Sequence, residues 1–200
     1  MNKEHIQLIP FLAVVVGGGL LIGATNLPGS WYADLVKPSF TPPNWLFAPA
    51  WTVLYLLVAC AGWRTFERQP RSLAMGFWYV QLALNFGWSP VMFTLHAIAL
   101  ALMIILALLA AICGFIAVQR PRDRIAALLF VPYAAWVGYA TLLNAAVWYL
   151  NSGSVWFGAT GHCSRAPERG RVELHSTWNA ARVKEMLSDQ NQSRAPPDVE

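Results

Sequence analysis

Residues 97–118 read AIALALMIILALLAAICGFIAV and contain no charged side chain. A helix of about 20 apolar residues spans the ~30 Å hydrocarbon core of a bilayer. Because an uninterrupted apolar run of this length is typical of membrane helices, the segment predicts a helix that crosses a membrane. The chain is therefore expected to fold in lipid.

The composition of the whole chain agrees with this expectation. Of its 200 residues, 56% are hydrophobic and only 12% are charged, whereas a soluble domain contains roughly 25% charged residues. The ten tryptophans are of a residue type that favours membrane interfaces and the walls of aromatic pockets. The net charge of +4 comes largely from short basic clusters beside apolar runs, which indicates membrane anchoring and not nucleic-acid binding.

Four further segments match residues 97–118 in length and in their lack of charge. They are residues 8–27, 45–63, 73–95 and 125–150. We therefore expect an all-α integral membrane protein, with a five-transmembrane-helix bundle at residues 1–151 and a weakly ordered polar tail at residues 152–200. Within the tail, residues 176–187 favour a short helix. Only His96 separates the third segment from the fourth, so that turn must be tight.

The loop between the first two segments, residues 28–44, is rich in proline and aromatic residues, and we expect it to fold back onto the bundle. Arginines cluster in the second and fourth connections, which the positive-inside rule places in the cytoplasm. They are Arg64, Arg68, Arg71, Arg120, Arg122 and Arg124. The basic tail opposes this orientation, because five crossings would place it on the other face. The sequence leaves the orientation open.

The apolar segments lack the residues that most membrane and catalytic chemistry requires. They contain no Asp, Glu, Lys or Arg, whereas a proton-coupled pump or ion exchanger usually has a charge inside the membrane. No Ser-His-Asp, Cys-His or P-loop pattern occurs. Cys60, Cys113 and Cys163 lack the spacing of metal ligands. We therefore expect no metal site, no required cofactor and no recognised catalytic motif.

Neutral polar and aromatic side chains follow helical spacing on three segments. Gln81, Asn85 and Trp88 share one face of the third segment, and Trp51 and Tyr55 share one face of the second. The stripe on the fifth segment consists of Tyr133, Trp136, Ala140, Asn144, Trp148 and Asn151. Buried amide and indole N–H groups need partners in lipid, so these faces are predicted to point inward. They either only hold helices together or also line a pocket for a flat, mostly apolar ligand.

Three stretches of the chain resemble the translocator protein (TspO/MBR) family, also called tryptophan-rich sensory proteins or peripheral-type benzodiazepine receptors. They are WYADLVKPSFTPPNWLFAPAWTVLYLL at 31–57, QLALNFGWSPVMF at 81–93 and LLFVPYAAWVGYATLLNAAVWYLN at 128–151. The resemblance covers roughly residues 5–151. It implies a multi-pass protein of a bacterial membrane, the inner rather than the outer, that binds tetrapyrroles such as protoporphyrin IX and haem, and benzodiazepine-type ligands. It also implies a link to tetrapyrrole regulation or stress sensing.

In the family, the ligand pocket lies at the end of the bundle that the first loop covers. The residues of this chain that match it are Tyr32, Pro42, Trp45, Phe47, Trp51, Asn85, Trp88, Pro90, Trp136 and Ala140. Some bacterial relatives degrade porphyrin in light through the tryptophans that match Trp51 and Trp136, so a light-dependent enzyme is one alternative to a binding protein. A signalling scaffold that acts through a partner is the other.

The resemblance also bears on the binding partners. We expect membrane lipid and a porphyrin or related tetrapyrrole as partners, and no nucleic acid. Animal members bind sterol through a Tyr closely followed by a basic residue, but after Tyr149 no Lys or Arg occurs before Arg165, which argues against sterol binding. Gly76, Ala83 and Gly87 on the third segment would allow close helix packing, either within the monomer or in a homodimer.

Overall fold

The computed structural model describes the backbone of residues 3–156 and the side chains of residues 7–152. Over this range the chain is helical, with no strand among the described residues. The helices are α1 (Lys3–Leu12), α2 (Gly18–Thr25), α3 (Ser30–Asp34), α4 (Phe47–Arg68), α5 (Leu73–Phe93), α6 (Ile98–Gln119) and α7 (Arg124–Trp156). A π-helical turn (Ala13–Gly17) joins α1 to α2, and a 3-10 turn (Asn44–Leu46) leads into α4. The helix predicted at residues 176–187 lies outside the described residues, as does Cys163.

Four helical segments of the described chain are long and apolar enough to cross a membrane. They are Gln7–Thr25, Asn44–Arg68, Ile98–Gln119 and Arg124–Ser152. The mean hydropathy of Ile98–Gln119 is 3.0, which agrees with the prediction from its aliphatic sequence. α5 is similar in length and uncharged, but amide side chains inside it, those of Gln81 and Asn85, lower its hydropathy. The chain is therefore an integral membrane protein with several membrane-spanning helices, and its described part is helical throughout.

The long helices pack in a ring. α5 packs along α6, α6 along α7, and α7 along α4. The first span closes the ring, because α1 contacts α4 and α2 contacts α5. A side chain at Gly19 would collide with the Tyr55 ring, so this glycine allows the first span to approach α4. A side chain at Gly18 would likewise collide with the Phe86 ring of α5, whereas Gly17 and Gly23 border open space.

The ends of two helices differ from the predicted spans. α4 continues beyond Trp63 to Arg68, and α7 continues beyond Leu150 to Trp156. The connection between α5 and α6 is as tight as predicted. Within it His96 has a φ of 56°, the one positive φ of a non-glycine residue in the described range.

Asp123 organises the arginine-rich end of the bundle. Its Oδ1 accepts hydrogen bonds from the backbone N–H groups of Ile125 and Ala126, which caps the start of α7. Its Oδ2 lies 2.6 Å from Nε of Arg64 and 3.4 Å from Nη1 of Arg68. Burial alone would raise the pKa of Asp123, but these hydrogen bonds and the two positive charges outweigh burial and lower the pKa below its ordinary value.

Candidate ligand-binding site

Residues 28–44, which we call the cover loop, lie over the end of the bundle opposite the arginines. Trp31 stacks on His96 with ring centroids 4.1 Å apart, and Tyr32 meets the edge of Phe93 at 5.3 Å. Burial raises the pKa of the Tyr32 phenol above its ordinary value. The loop covers a small buried cluster that consists of Met92, Ala101 and Val147. The prediction that this loop folds back onto the bundle is confirmed.

Side chains of α7 hold the backbone of the cover loop. The Asn151 amide donates a hydrogen bond to the Val36 carbonyl oxygen at 3.0 Å, and its Oδ1 accepts one from the Val36 N–H at 3.1 Å. The Tyr139 hydroxyl donates to the Phe40 carbonyl oxygen at 2.6 Å. The cover loop is therefore attached to α7 at two separate points along its length.

A chain of hydrogen bonds crosses the interior of the bundle and joins α4, α5 and α7. The Tyr55 hydroxyl lies 3.5 Å from Oδ1 of Asn85, to which it donates. Nδ2 of Asn85 donates to the Tyr133 hydroxyl, which in turn donates to Oε1 of Gln81. The donor–acceptor distance is 3.0 Å in both hydrogen bonds. Gln81 is 0% exposed, and its Nε2 has no hydrogen-bond partner among the described residues. The inward orientation predicted for Gln81 and Asn85 is confirmed, and both amides connect helices.

A second group of hydrogen bonds lies between the Tyr55–Asn85–Tyr133–Gln81 hydrogen bonds and the cover loop. The Trp88 indole N–H donates to Oδ1 of Asn144 at 3.2 Å, and Nδ2 of Asn144 donates to the Ile98 carbonyl oxygen at 3.3 Å. Trp88 also meets the edge of Phe93 at 5.7 Å. Trp88 therefore contacts both Asn144 in the interior of the bundle and the aromatic side chains beneath the cover loop.

The two tryptophans singled out by the resemblance lie on the packed pair α4 and α7. Trp51 lies 5.2 Å from the Tyr55 ring and 6.4 Å from the Tyr133 ring, whereas Trp136 meets the edge of Phe47 at 5.9 Å. Both tryptophans are partly exposed, so each ring is held on one side while part of its surface stays accessible. Such rings can stack on a flat ligand.

The structure therefore distributes the predicted site residues over two aromatic groups. Tyr32 and Trp88 belong to the group under the cover loop; Phe47, Trp51 and Trp136 belong to the group on α4 and α7. The buried amide of Asn85 anchors Tyr55 and Tyr133 next to Trp51. Pro42 in the loop, Pro90 in α5 and Ala140 in α7 are half-buried.

Two tryptophans differ from the other members of these groups. Trp45 is 72% exposed and has no ring contact among the described residues. Trp148 is 43% exposed, so the prediction that it continues the inward stripe of α7 is wrong. A step of four residues turns a helix by about 40° beyond one full turn, which rotates Trp148 away from the direction of Asn144.

Sequence reasoning missed three side chains that shape this end of the bundle. Phe93 contacts both Tyr32 and Trp88, His96 stacks on the loop, and Tyr139 binds the loop backbone. Tyr139 follows Trp136 by three residues, a helical spacing that could have indicated it. The roles of Phe93 and His96 depend on where the cover loop folds, for which the sequence offers no local signal.

Comparison with known proteins places these features in a family. The sequence model of the TspO/MBR family matches residues 10–150. The chain is 38% identical over 147 residues to "Protein CrtK" of Rhodobacter capsulatus, an alignment that covers 72% of this chain and 91% of the relative. It is 35% identical over 151 residues to "Tryptophan-rich sensory protein" of Cereibacter sphaeroides, covering 76% and 95%. To the human "Translocator protein" it is 31% identical over 143 residues, covering 68% and 85%.

Proposed function

Because this chain belongs to the TspO/MBR family of membrane proteins, we propose that it is a receptor for a tetrapyrrole such as protoporphyrin IX. Haem-like and benzodiazepine-type compounds are ligands of the same class, being flat and mostly apolar. Binding takes place at the aromatic groups beside and beneath the cover loop. The proposed role is to sense or to translocate the ligand in the regulation of tetrapyrroles or of a stress response.

The observation that most supports this proposal is the pair of partly exposed tryptophans, Trp51 and Trp136, on helices that pack together. A macrocycle needs aromatic faces on which to stack and only a few directional donors. The half-buried Tyr55, held by the buried Asn85 and Tyr133, supports one side of the Trp51 ring. Since aromatic rings in mutual contact occupy this half of the bundle, a bound macrocycle would displace some of them or the cover loop.

We also propose that α5 is a fifth membrane crossing. Its 21 residues correspond to about 31 Å of helix, close to the ~30 Å of the hydrocarbon core. Its amide groups point into the bundle, where Gln81 and Asn85 are buried, while Leu73 and Val80 are exposed on the outer face. The polar residues that lower its hydropathy therefore do not face lipid.

A titration of the purified protein with protoporphyrin IX in nanodiscs tests the proposal. We expect saturable quenching of tryptophan fluorescence with one macrocycle bound per chain. Quenching that rises linearly without saturation would contradict a binding site. The same sample under illumination tests the enzymatic alternative, in which light-excited porphyrin takes an electron from an indole. A binding protein leaves only the bleaching that free porphyrin shows by itself.

A further inference from the structure

An apolar groove of about 530 Å³ lies on the outer face of the α5 and α6 pair, away from the aromatic groups described above. Its floor is formed by small residues, among them Gly76, Ala107 and Ala110, and its sides by longer ones such as Val80 and Leu84. Val80 is 52% exposed, so the groove opens toward the surroundings of the bundle. In a membrane those surroundings are lipid.

With α5 as the proposed fifth crossing, the length of the groove corresponds to about half of the membrane thickness. It extends from Leu73 to Leu84 on α5, a distance of roughly 16 Å along a helix. The hydrocarbon core of one leaflet is about half of 30 Å. The groove therefore matches the depth that a single acyl chain occupies in one leaflet.

Two arginines lie at the level where this leaflet meets water. α5 and α6 are antiparallel, and Phe77 lies against Gly114. Arg71 directly precedes Ser72, the N-cap of α5, and Arg120 is the C-cap residue of α6. Both arginines therefore flank this end of the helix pair, beyond the end of the groove at Leu73. Both arginines are exposed, and within the described residues neither side chain has an ion pair or a hydrogen bond.

Among the described residues, no carboxylate forms an ion pair with either arginine. Asp123 is buried and already paired with Arg64 and Arg68. Residues 64–124 contain six arginines and only two carboxylates, those of Glu67 and Asp123. A negatively charged group at Arg71 and Arg120 would therefore meet an uncompensated positive field.

We propose that this groove binds one anionic glycerophospholipid, with an acyl chain in the groove and the headgroup phosphate between Arg71 and Arg120. A basic site beside an apolar groove between membrane helices is suited to an anionic headgroup. A zwitterionic lipid with the same acyl chains fills the groove equally well but adds a positive group near the arginines. The charge of the two arginines therefore determines the preference for an anionic lipid, and the groove determines where its acyl chain binds.

The size of the preference follows from the two arginines. Each basic residue near a membrane surface favours an anionic lipid by about fivefold, so the pair should give roughly 25-fold. Gly76 offers a way to block the groove, because a side chain there would meet no neighbouring atom within 4 Å. The Gly76→Leu variant should consequently fold while it fills the space of the acyl chain.

The experiment is native mass spectrometry of the delipidated full chain, titrated with phosphatidylglycerol and with phosphatidylcholine of identical acyl chains. We expect about 25-fold tighter binding of the first phosphatidylglycerol. Arg71→Gln with Arg120→Gln should abolish this preference, whereas Arg124→Gln, an exposed and equally unpaired arginine at the start of α7, should retain it. Gly76→Leu should weaken binding of both lipids. Gly87→Leu, also at a glycine with open space but outside the groove, should not.

Equal affinities for the two lipids in the unaltered chain would overturn the proposal. So would lipid binding that is unchanged in Gly76→Leu while circular dichroism shows the same helicity. A dimer that excludes the lipid and that Gly76→Leu dissociates would assign the groove to a second copy of the chain instead. Ala110→Leu fills the groove from α6 and provides an independent check if Gly76→Leu is not helical.

Discussion

Asp123 is the residue whose charge state the structure defines most clearly. Its pKa lies below the ordinary value in the folded protein, so its ion pairs with Arg64 and Arg68 contribute full stability above the unfolded pKa. The contribution disappears as the pH falls through the folded pKa. Asp123→Asn leaves Arg64 and Arg68 without their carboxylate partner and should cost about 1–3 kcal/mol at neutral pH.

Thermal unfolding in detergent, followed by circular dichroism between pH 7 and pH 3, measures this effect. We expect the difference in melting temperature between the unaltered chain and Asp123→Asn to be largest at neutral pH and to shrink below about pH 4. Arg124→Gln is a charge control that leaves Asp123 and its partners intact. A difference that stays constant over the whole range would show that the ion pairs do not stabilise the fold.

Single residues were the hardest features to predict from sequence. The sequence showed Asp123 only as one member of a polar connection between two helices. Its pairing with Arg64 could not be predicted, because the two residues are 59 positions apart and no local pattern joins them. The uniformly aliphatic sequence of α6 also gives no sign of which side chains face lipid. Leu102 is partly buried against the main hydrophobic core. Leu106, at 50% exposed, faces outward.

At the scale of elements, the first span depends on glycine where it meets α4. A Cβ at Gly19 would overlap the Tyr55 ring, so Gly19→Ala must displace the phenol that donates to Asn85. We expect a loss of about 1–3 kcal/mol from overpacking. Gly23→Ala on the same span meets no neighbour and should be neutral or slightly stabilising. Melting temperatures in detergent compare the two, and equal effects would contradict the packing of the first span on α4.

The proposed fifth crossing by α5 has a direct topological consequence. The connections at its two ends, residues 69–72 and 94–97, should lie on opposite sides of the membrane. In a chain whose native cysteines are replaced by serine, Pro70→Cys and His96→Cys should react with an impermeant maleimide from opposite sides. Reaction of both from the same side would mean that α5 does not cross.

Helices were predictable where consecutive residues are apolar and uncharged over the thickness of a membrane. Charge-free runs of membrane length identified α4, α6 and α7, and the single residue between two runs identified the turn at His96. The C-terminal end of α4 was not predictable. The helix includes Arg64 and Arg68, and both pair with the carboxylate of Asp123, which is distant in sequence. The π-helical turn at Ala13–Gly17 also has no signal in its apolar sequence.

At the scale of the molecule, we expect the cover loop to limit access to the proposed ligand site. Asn151 makes two hydrogen bonds to the Val36 backbone, each of which contributes about 0.5–1.5 kcal/mol. Asn151→Ala should therefore increase opening of the loop, and with it the release rate of bound protoporphyrin, by roughly tenfold. Stopped-flow release measures the rate. Ser152→Ala, whose hydroxyl donates to the Tyr149 carbonyl oxygen within α7, is the control. Equal release rates for Asn151→Ala and the unaltered chain would rule out the loop as a barrier.

The candidate site was predictable from the sequence only in part. Helical spacing predicted correctly that Gln81, Asn85 and Asn144 point inward, because an amide in lipid requires a partner. The division of the aromatic residues into one group beneath the loop and another on α4 and α7 could not be predicted. It depends on long-range contacts such as Tyr139 with Phe40, which lie 99 positions apart.

The dissociation constant of protoporphyrin IX, measured by porphyrin absorbance in nanodiscs for Trp51→Ala and Trp136→Ala, tests the central claim most directly. Each variant loses a stacking ring, and we expect roughly thirtyfold weaker binding, equivalent to about 2 kcal/mol. Trp51→Phe should lose less, and the outward-facing Leu106→Ala should bind like the unaltered chain. Unchanged affinity in both folded tryptophan variants, or weakening only in Leu106→Ala, would contradict a ligand site at these aromatic groups.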